Sequence, residues 1–188
     1  MFGMKRLAAP AALLMTLALV SACADSAAAP DTVAALSPSE KASLKIADIT
    51  DEAAPGVVLA NFDLERILQR VKAEITAAHP DIWVAANAPQ GDDPVKVKIV
   101  ITRYDEGNAF ARFMLAGLGQ IRMEGDVIFT DAATGKQVGE YKVAKDFAFG
   151  GIYGGVTTIE DVEKGFAKSV AQILETKQSS VLARMRAG

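Results

Sequence analysis

The chain has 188 residues, 23 acidic and 20 basic side chains, a formal net charge of −3, one Cys and one His. This length fits one ordinary domain. The acidic balance excludes a broad basic surface for nucleic acid. A single Cys excludes an intrachain disulfide framework, and one Cys with one His excludes a zinc site built from several such ligands of one chain.

Residues 1–22 have the pattern of a bacterial signal peptide. Lys5 and Arg6 form a short basic region, and an apolar run from Leu7 to Val20 follows it. The run is short for a membrane-spanning helix and is interrupted by Pro10. It ends in the small residues Val20-Ser21-Ala22 directly before Cys23, and this ending resembles the lipobox of bacterial lipoprotein precursors.

The lipobox resemblance implies cleavage between Ala22 and Cys23, thioether lipidation of Cys23, and acylation of the new amino terminus by a fatty acid such as palmitate. Such a protein has the membrane as its partner through the lipid, and its three acyl chains suffice for stable anchoring. Two alternatives stay open: an ordinary secretory signal that leaves a free thiol, and an uncleaved membrane anchor. In lipoprotein sorting an Asp directly after the Cys favours the inner membrane. Here Ala24 precedes Asp25, so the outer membrane is expected, with the domain in the periplasm.

The predicted organisation has three parts: a signal peptide over 1–22, the lipidated Cys with a flexible tether over 23–43, and a single α/β-type domain over 44–186. The tether is expected because residues 24–43 are rich in Ala, Ser, Pro and Asp and hold few large apolar side chains. Such a segment cannot bury enough surface to offset the entropy of ordering it.

Periodicity predicts the elements of the domain in chain order. The predicted elements are a strand over 44–50, a helix from Asn61 to His79, a strand over 95–102, a short helix or turn over 108–118, a strand over 121–130, a turn at Gly135, a strand over 137–149, and a helix from about Thr158 into the 180s, with a capping box Thr157-x-x-Glu160. The order β-α-β-(α)-β-β-α predicts an α+β fold. Its mixed, mainly antiparallel sheet would carry two amphipathic helices on one face.

No motif in the sequence predicts catalysis, a metal or a cofactor. His79 fits a solvated histidine at a helix end, with a general base as the alternative. Three adjacent carboxylate pairs, at 92–93, 105–106 and 160–161, fit solvated loops or helix starts rather than two acids facing across a cleft. The glycine-rich stretch 150–155 lacks a following Lys and precedes acidic residues, which argues against a phosphate loop. It is expected to end a strand, as a hinge or as a mobile loop around Tyr153.

An apolar cluster surrounds Arg112. Its members are Phe110, Phe113, Met114, Leu115 and Leu118. One interpretation is a core helix packed on the sheet, and the other is a surface patch for a partner or for the bilayer interface. The cluster is too short to span a membrane.

The segment Arg103–Tyr141 resembles an uncharacterised, domain-of-unknown-function family of small bacterial envelope lipoproteins. The features that carry the resemblance are Gly107, an Arg112-containing apolar turn, Gly117 with Gly119, Gly125 in an alternating strand, and a D-x-x-T-G hairpin at 131–135. The layout also resembles curli-secretion lipoproteins and penicillin-binding-protein activators, which act by binding partners. The family implies no established activity.

The leading hypothesis is therefore a lipid-anchored, periplasm-facing, non-catalytic envelope lipoprotein that acts as an accessory or partner-binding module. The residues proposed for contact with an envelope protein are Arg112, Phe113, Arg122 and Tyr153. One alternative is a carrier of lipid or small molecules, with a pocket between helices and sheet. A hydrolase that uses His79 with a carboxylate is the other. The sequence does not indicate an oligomeric state.

Overall fold

The computed structural model describes residues 26–84, 94–115 and 118–175. Within these ranges the elements are β1 (Asp31–Ala34), α1 (Pro38–Ser43), β2 (Ile46–Ala53), α2 (Asn61–Ala78), β3 (Val95–Asp105), α3 (Ala109–Met114), β4 (Ile121–Asp131), β5 (Gln137–Phe147), α4 (Gly151–Val156) and α5 (Ile159–Ile173). The predicted signal peptide, Cys23 and the end of the predicted domain at 176–186 lie outside the described residues. None of the helices described is both long and apolar enough to cross a membrane.

The five strands form one mixed sheet in the order β1-β5-β4-β3-β2. The pair β2–β3 is parallel, with α2 as the crossover, and the other three pairs are antiparallel. Helix α5 packs on β4 and β5, α2 packs on β2, and the two helices pack on each other. The predicted α+β class, with a mainly antiparallel sheet and two amphipathic helices on it, is confirmed.

The core lies between the sheet and the two long helices. Strand residues alternate between buried and less buried along β3, β4 and β5, as expected when only one face of a sheet is covered. Helix α2 contributes Ile67, Val71 and Ile75 to the core, and the central aromatic of α5 is Phe166. A Cβ at Gly125 would lie 3.0 Å from the Phe166 ring, so the missing side chain in β4 makes room for that ring.

The sheet has two distinct ends. At one end β3 stops and β4 starts, with Asp105 opposite Arg122, and Ile121 faces Phe147 where β5 stops. Helices α3 and α4 directly follow β3 and β5 there, so we call this the α3–α4 end. At the other end Val95 pairs with Asp131 at the turn between β4 and β5. We call this the hairpin end, and Gly135 has the positive φ of 72° predicted for that turn.

The flexible tether predicted over 23–43 is wrong for residues 31–43. Strand β1 pairs with the edge of β5, and the Leu36 side chain is only 4% exposed, with its backbone N–H donating to the Tyr141 hydroxyl over 2.8 Å. Helix α1 starts with a capping box between Ser37 and Glu40. Backbone pairing and capping order this segment, so its low apolar content was a poor guide.

Two predictions near the end of the domain also need correction. The glycine-rich stretch 150–155 is largely helical, as α4. The capping box of α5 joins Thr158 and Asp161 rather than Thr157 and Glu160. Thr157 instead closes α4, because its hydroxyl donates to the Tyr153 carbonyl over 2.9 Å. The last helix is described to Ile173, and its predicted extension into the 180s lies outside the described residues.

A buried ion cluster locks α2, α5 and β3 together. Glu163 on α5 is 1% exposed. Its carboxylate accepts two hydrogen bonds from Arg66, at 2.7 and 3.0 Å, and lies 2.8 Å from Arg70 Nη1. The Tyr104 hydroxyl donates to the same carboxylate over 2.8 Å, and burial together with this carboxylate raises the pKa of Tyr104. The Asp63 carboxylate lies 2.6 Å from Arg66 Nη2. Every charge in the cluster therefore has a partner.

We predict that Glu163→Gln lowers the free energy of unfolding by about 2–3 kcal/mol, because two arginines lose their shared anion in a desolvated site. Urea denaturation followed by circular dichroism measures this loss. The matched control is Glu124→Gln, whose carboxylate is 44% exposed and lies 3.6 Å from Arg103. This exposed pair should contribute less than about 1 kcal/mol. Equal losses in the two variants would contradict the prediction.

Candidate binding surface at the α3–α4 end

A surface helix usually buries its apolar side chains and exposes its charged ones, and helix α3 does the reverse. Its single buried residue is Arg112, which is 3% exposed, while Phe110 on the same helix is 73% exposed. The helix starts with a cap in which the Asn108 side chain accepts from the Ala111 N–H over 2.9 Å. The prediction of a core helix is therefore wrong for this segment, and the alternative of an apolar surface patch describes it.

The Arg112 guanidinium binds four backbone carbonyl oxygens. Nε donates to Gly154 over 2.8 Å, and Nη2 donates to Thr157 over 3.0 Å. Nη1 donates to Gly119 over 2.7 Å and to Glu106 over 3.2 Å. These carbonyls come from both loops that flank α3, from α4, and from the residue before the α5 cap. One side chain thus joins four backbone segments that have little apolar side-chain packing of their own.

Arg112 is a structural residue, and its predicted role in direct contact with a partner is wrong because the side chain is buried. Burial lowers the pKa of the guanidinium, but an arginine remains charged in a protein at any physiological pH. The surrounding carbonyl dipoles take the place of water for this charge. Removing the guanidinium would take away the side-chain donor of the Gly154 and Thr157 carbonyls in their buried hydrogen bonds, and no uncharged side chain offers as many N–H donors.

Two glycines allow the loops around Arg112 to approach each other. Gly107 and Gly119 have φ values of 63° and 69°, which favour glycine. A Cβ on Gly107 would collide with the carbonyl of Gln120, and one on Gly119 would collide with the carbonyl of Asn108. The glycines that carried the family resemblance thus shape the Arg112 site.

The outer surface of this unit is an apolar patch of eight exposed side chains. Its members are Phe110, Phe113, Met114, Leu115, Leu118, Phe149, Ile152 and Val156. They come from α3, from α4 and from the residues next to these helices, which pack on each other. Val58 and Phe62, which follow β2 toward the same end, are also exposed. Of the eleven large hydrophobic side chains exposed in the described ranges, Val33 alone lies on another part of the surface. A concentration of exposed apolar side chains of this kind is typical of interaction sites in proteins.

The structure brings three of the four predicted contact residues into this unit. Phe113 is 48% exposed and belongs to the patch. Tyr153 is half-buried within α4, and Arg112 lies beneath both helices. Arg122 lies on β4 at the same end of the sheet and is not one of the eight patch residues, and its guanidinium donates to the side-chain oxygen of Gln120. Sequence reasoning missed Phe149, Ile152 and Val156, because it treated the glycine-rich stretch as a loop.

His79 lies at the hairpin end, far from the patch. It is the residue after α2, and its Nε2 is buried without a hydrogen-bond partner in the described structure. It lines a surface cleft of about 320 Å³ together with Lys41, Lys45 and Asp81. Within the described ranges no carboxylate pairs with the imidazole. The acid that a His-based hydrolase needs for orientation is therefore not in place in this part of the chain.

Three of the four described carboxylates in the remaining acidic pairs have structural partners, namely Asp105, Glu160 and Asp161. Asp105 accepts from the Gly107 N–H over 2.8 Å in a turn. Glu160 pairs with Arg70 at 3.1 Å, and Asp161 caps α5, whereas the pair at 92–93 lies outside the described residues. Across 26–84, 94–115 and 118–175, no group of three or more metal-ligating side chains is present.

The carrier alternative requires an apolar cavity between the helices and the sheet. Where the structure describes this layer, it is filled by packed side chains, including Ile67, Val71, Ile99 and Phe166. Two further clefts, of about 370 and 480 Å³, lie at the edge beside Trp83 and in the groove between α2 and α5. Both are open at the protein surface and partly lined by charged residues.

The fold and the patch define an open-faced α+β domain with an exposed apolar end. The chain belongs to the family described as a domain of unknown function, DUF4410, whose model matches residues 26–151. The predicted membership of a domain-of-unknown-function family is thus confirmed, and the matched range includes β1 and α1. A search of the curated proteins found no match.

Several solved structures are similar in part. A dodecamer of PelC from Paraburkholderia phytofirmans has 12% identity and a TM-score of 0.48, covering 71% of this chain and 89% of that one. A candidate lipoprotein from Caulobacter crescentus has 19% identity and a TM-score of 0.40, covering 79% and 96%. A DUF330 protein from Xanthomonas campestris has 11% identity and a TM-score of 0.38, covering 86% and 95%. At these scores nothing about function follows for this chain.

We predict that Arg112→Lys lowers the free energy of unfolding by about 2–4 kcal/mol, because an ammonium group cannot reach four carbonyls arranged around a planar fork. Urea denaturation measures the loss, and amide hydrogen exchange should show faster exchange in 106–119 and 150–157. Arg103→Lys, at a site 43% exposed, is the matched control and should change stability by less than about 0.5 kcal/mol. Unchanged exchange in both segments of the Arg112 variant would contradict its joining role.

Proposed function

We propose that this protein is a lipid-anchored, non-catalytic lipoprotein of the bacterial cell envelope, and that its domain works by binding through the apolar patch. The observation that carries the proposal is the patch itself: eight exposed apolar side chains fixed in place by a buried arginine. A protein gains nothing for its own stability from exposing such a surface. A buried charge that keeps these apolar side chains exposed therefore favours a function in binding.

The anchoring part of the proposal rests on the sequence around Cys23. Lys5 and Arg6, the apolar run, and small residues directly before the only Cys have the order required for lipoprotein processing. The acyl chains on Cys23 would hold the domain at a membrane. Since Ala24 rather than an acidic residue follows the Cys, we place the protein at the outer membrane, with the domain in the periplasm.

The absence of catalysis is part of the proposal. His79 has no acidic partner in the described part of the chain, and it lies at the opposite end of the sheet from the patch. Asp105 serves a turn, Asp161 caps α5, and Glu160 and Glu163 take part in ion pairs. The residues most exposed at the proposed binding site are aliphatic and aromatic, and these side chains bind apolar surface but do not transfer protons.

The anchoring prediction can be tested by growing cells with a clickable fatty acid. The wild-type chain should carry the label, and Cys23→Ala should lose it, because the thioether needs the thiol. The matched control is the double variant Cys23→Ala with Ser26→Cys, which moves the thiol three positions along the chain and should also stay unlabelled. Equal label in wild type and Cys23→Ala would overturn the proposal, and label in the double variant would show that position does not matter.

A further inference from the structure

The apolar patch is large enough to form one half of a protein–protein interface. Its eight residues are 48–73% exposed, which amounts to roughly 900 Å² of surface when a large apolar residue offers on the order of 150–250 Å². The largest apolar patch on a typical monomer measures about 300–600 Å², whereas a stable interface buries about 800 Å² on each partner. The patch therefore exceeds what a lone domain usually exposes and matches the share of one subunit.

The segment that leads to the proposed lipid site lies against the long helices. Ala27 lines the groove between α2 and α5 together with Ala78 and Glu175, which lie where these two helices end, at the hairpin end. The Ala28 N–H donates to the Ser169 hydroxyl of α5 over 2.7 Å. Neither Ala27 nor Ala28 contacts the patch, so the patch stays available to a protein surface.

The charges beside the patch suit a surface that meets a copy of itself. No charged side chain is among the eight patch residues, and at the same end of the sheet the charges come in pairs of opposite sign. Asp105 lies opposite Arg122, and Arg103 Nη1 lies 3.6 Å from the Glu124 carboxylate. A two-fold axis places the same surface on both sides of an interface, so a surface of one charge sign would repel its copy. This end of the domain carries no such charge.

The patch is also fixed in place before any partner arrives. The four hydrogen bonds of Arg112 hold α3, α4 and their loops together. A surface that is already ordered loses little conformational entropy on binding. An apolar, ordered surface of this kind is what homodimer interfaces present, since these are more apolar than non-obligate interfaces.

We infer that the occupant of the patch is a second copy of this chain, joined through the same patch of both copies around a two-fold axis. This inference rests on the proposed function, because it takes the patch as the binding surface of the domain. The proposed anchor at Cys23 favours the same partner, since it confines all copies to one membrane. Confinement raises the concentration of each copy around its neighbours, and weak contacts then suffice for pairing.

Photo-crosslinking in bacterial cells tests this inference on the full chain. Two versions with different C-terminal epitope tags are produced together, and p-benzoylphenylalanine replaces Phe113 in one of them. Illumination should give an adduct that carries both tags, and mass spectrometry should place the crosslinked peptide of the second copy within 106–119 or 149–157. The matched control has the same photo-crosslinker in place of Lys136, in the exposed turn between β4 and β5, and should give no adduct with both tags.

A charge placed in the patch should separate the two copies. With the crosslinker at Phe113, Ile152→Glu in both versions should reduce the adduct with both tags by about tenfold or more, because the contact would bury an unpaired carboxylate. Lys142→Glu, on β5 outside the patch, should leave the adduct unchanged. Ile152 is 70% exposed, so its substitution should preserve the circular dichroism spectrum of the domain.

The outcomes separate this inference from the proposed function. An adduct at Phe113 with another protein or with phospholipid, and none with the second copy, would overturn self-association and would leave the patch as a binding surface. A crosslinked peptide outside the two patch segments, or equal adducts from the Phe113 and Lys136 positions, would overturn the two-fold arrangement. If no adduct of any kind forms at Phe113, binding through the patch fails as well. The fatty-acid label on Cys23 decides the anchor independently of all these results.

Discussion

The α3–α4 end depends on one desolvated cation. Arg112 has no carboxylate partner among its described hydrogen bonds, and four peptide carbonyls from separate segments surround it. The usual driving force for positioning a helix is burial of its apolar face. Here that face is turned outward, so polar interactions position α3 and leave the apolar side chains available. The charge is costly to bury, and the cost is offset only if all four carbonyls stay in place.

The rest of the fold uses the ordinary arrangement, and the sequence predicted it well. Alternation along 95–101 and 121–130 identified β3 and β4, and the stripes at Ile67-Val71-Ile75 and Val162-Phe166-Val170 identified the two long helices. These signals are strong because one face of each element is buried and the other is not. The βαβ crossover and the hairpin then leave few arrangements for the central strands, and the mixed sheet follows.

What the sequence did not predict are elements held by backbone and polar groups. Strand β1 has four residues, all exposed, so it leaves no hydrophobic pattern. Helix α1 did leave a signal, since Ser37-Pro-Ser-Glu40 combines a capping box with Pro at the first helical position. Nothing in the composition of 109–114 tells which face of α3 is buried, because that depends on carbonyls from residues as distant as Thr157. The patch could therefore be suspected from the sequence, but its orientation could not be deduced.

Strand β1 has one more consequence, because it covers part of the outer edge of β5. Without it, the outer backbone groups of β5 from Glu140 to Lys142 would be open to pairing with a neighbouring molecule, and such pairing is a common start of aggregation. Strand β1 therefore also protects this part of the sheet edge. A recombinant fragment that begins at residue 44 would lack β1, whereas one that begins at residue 26 would retain it.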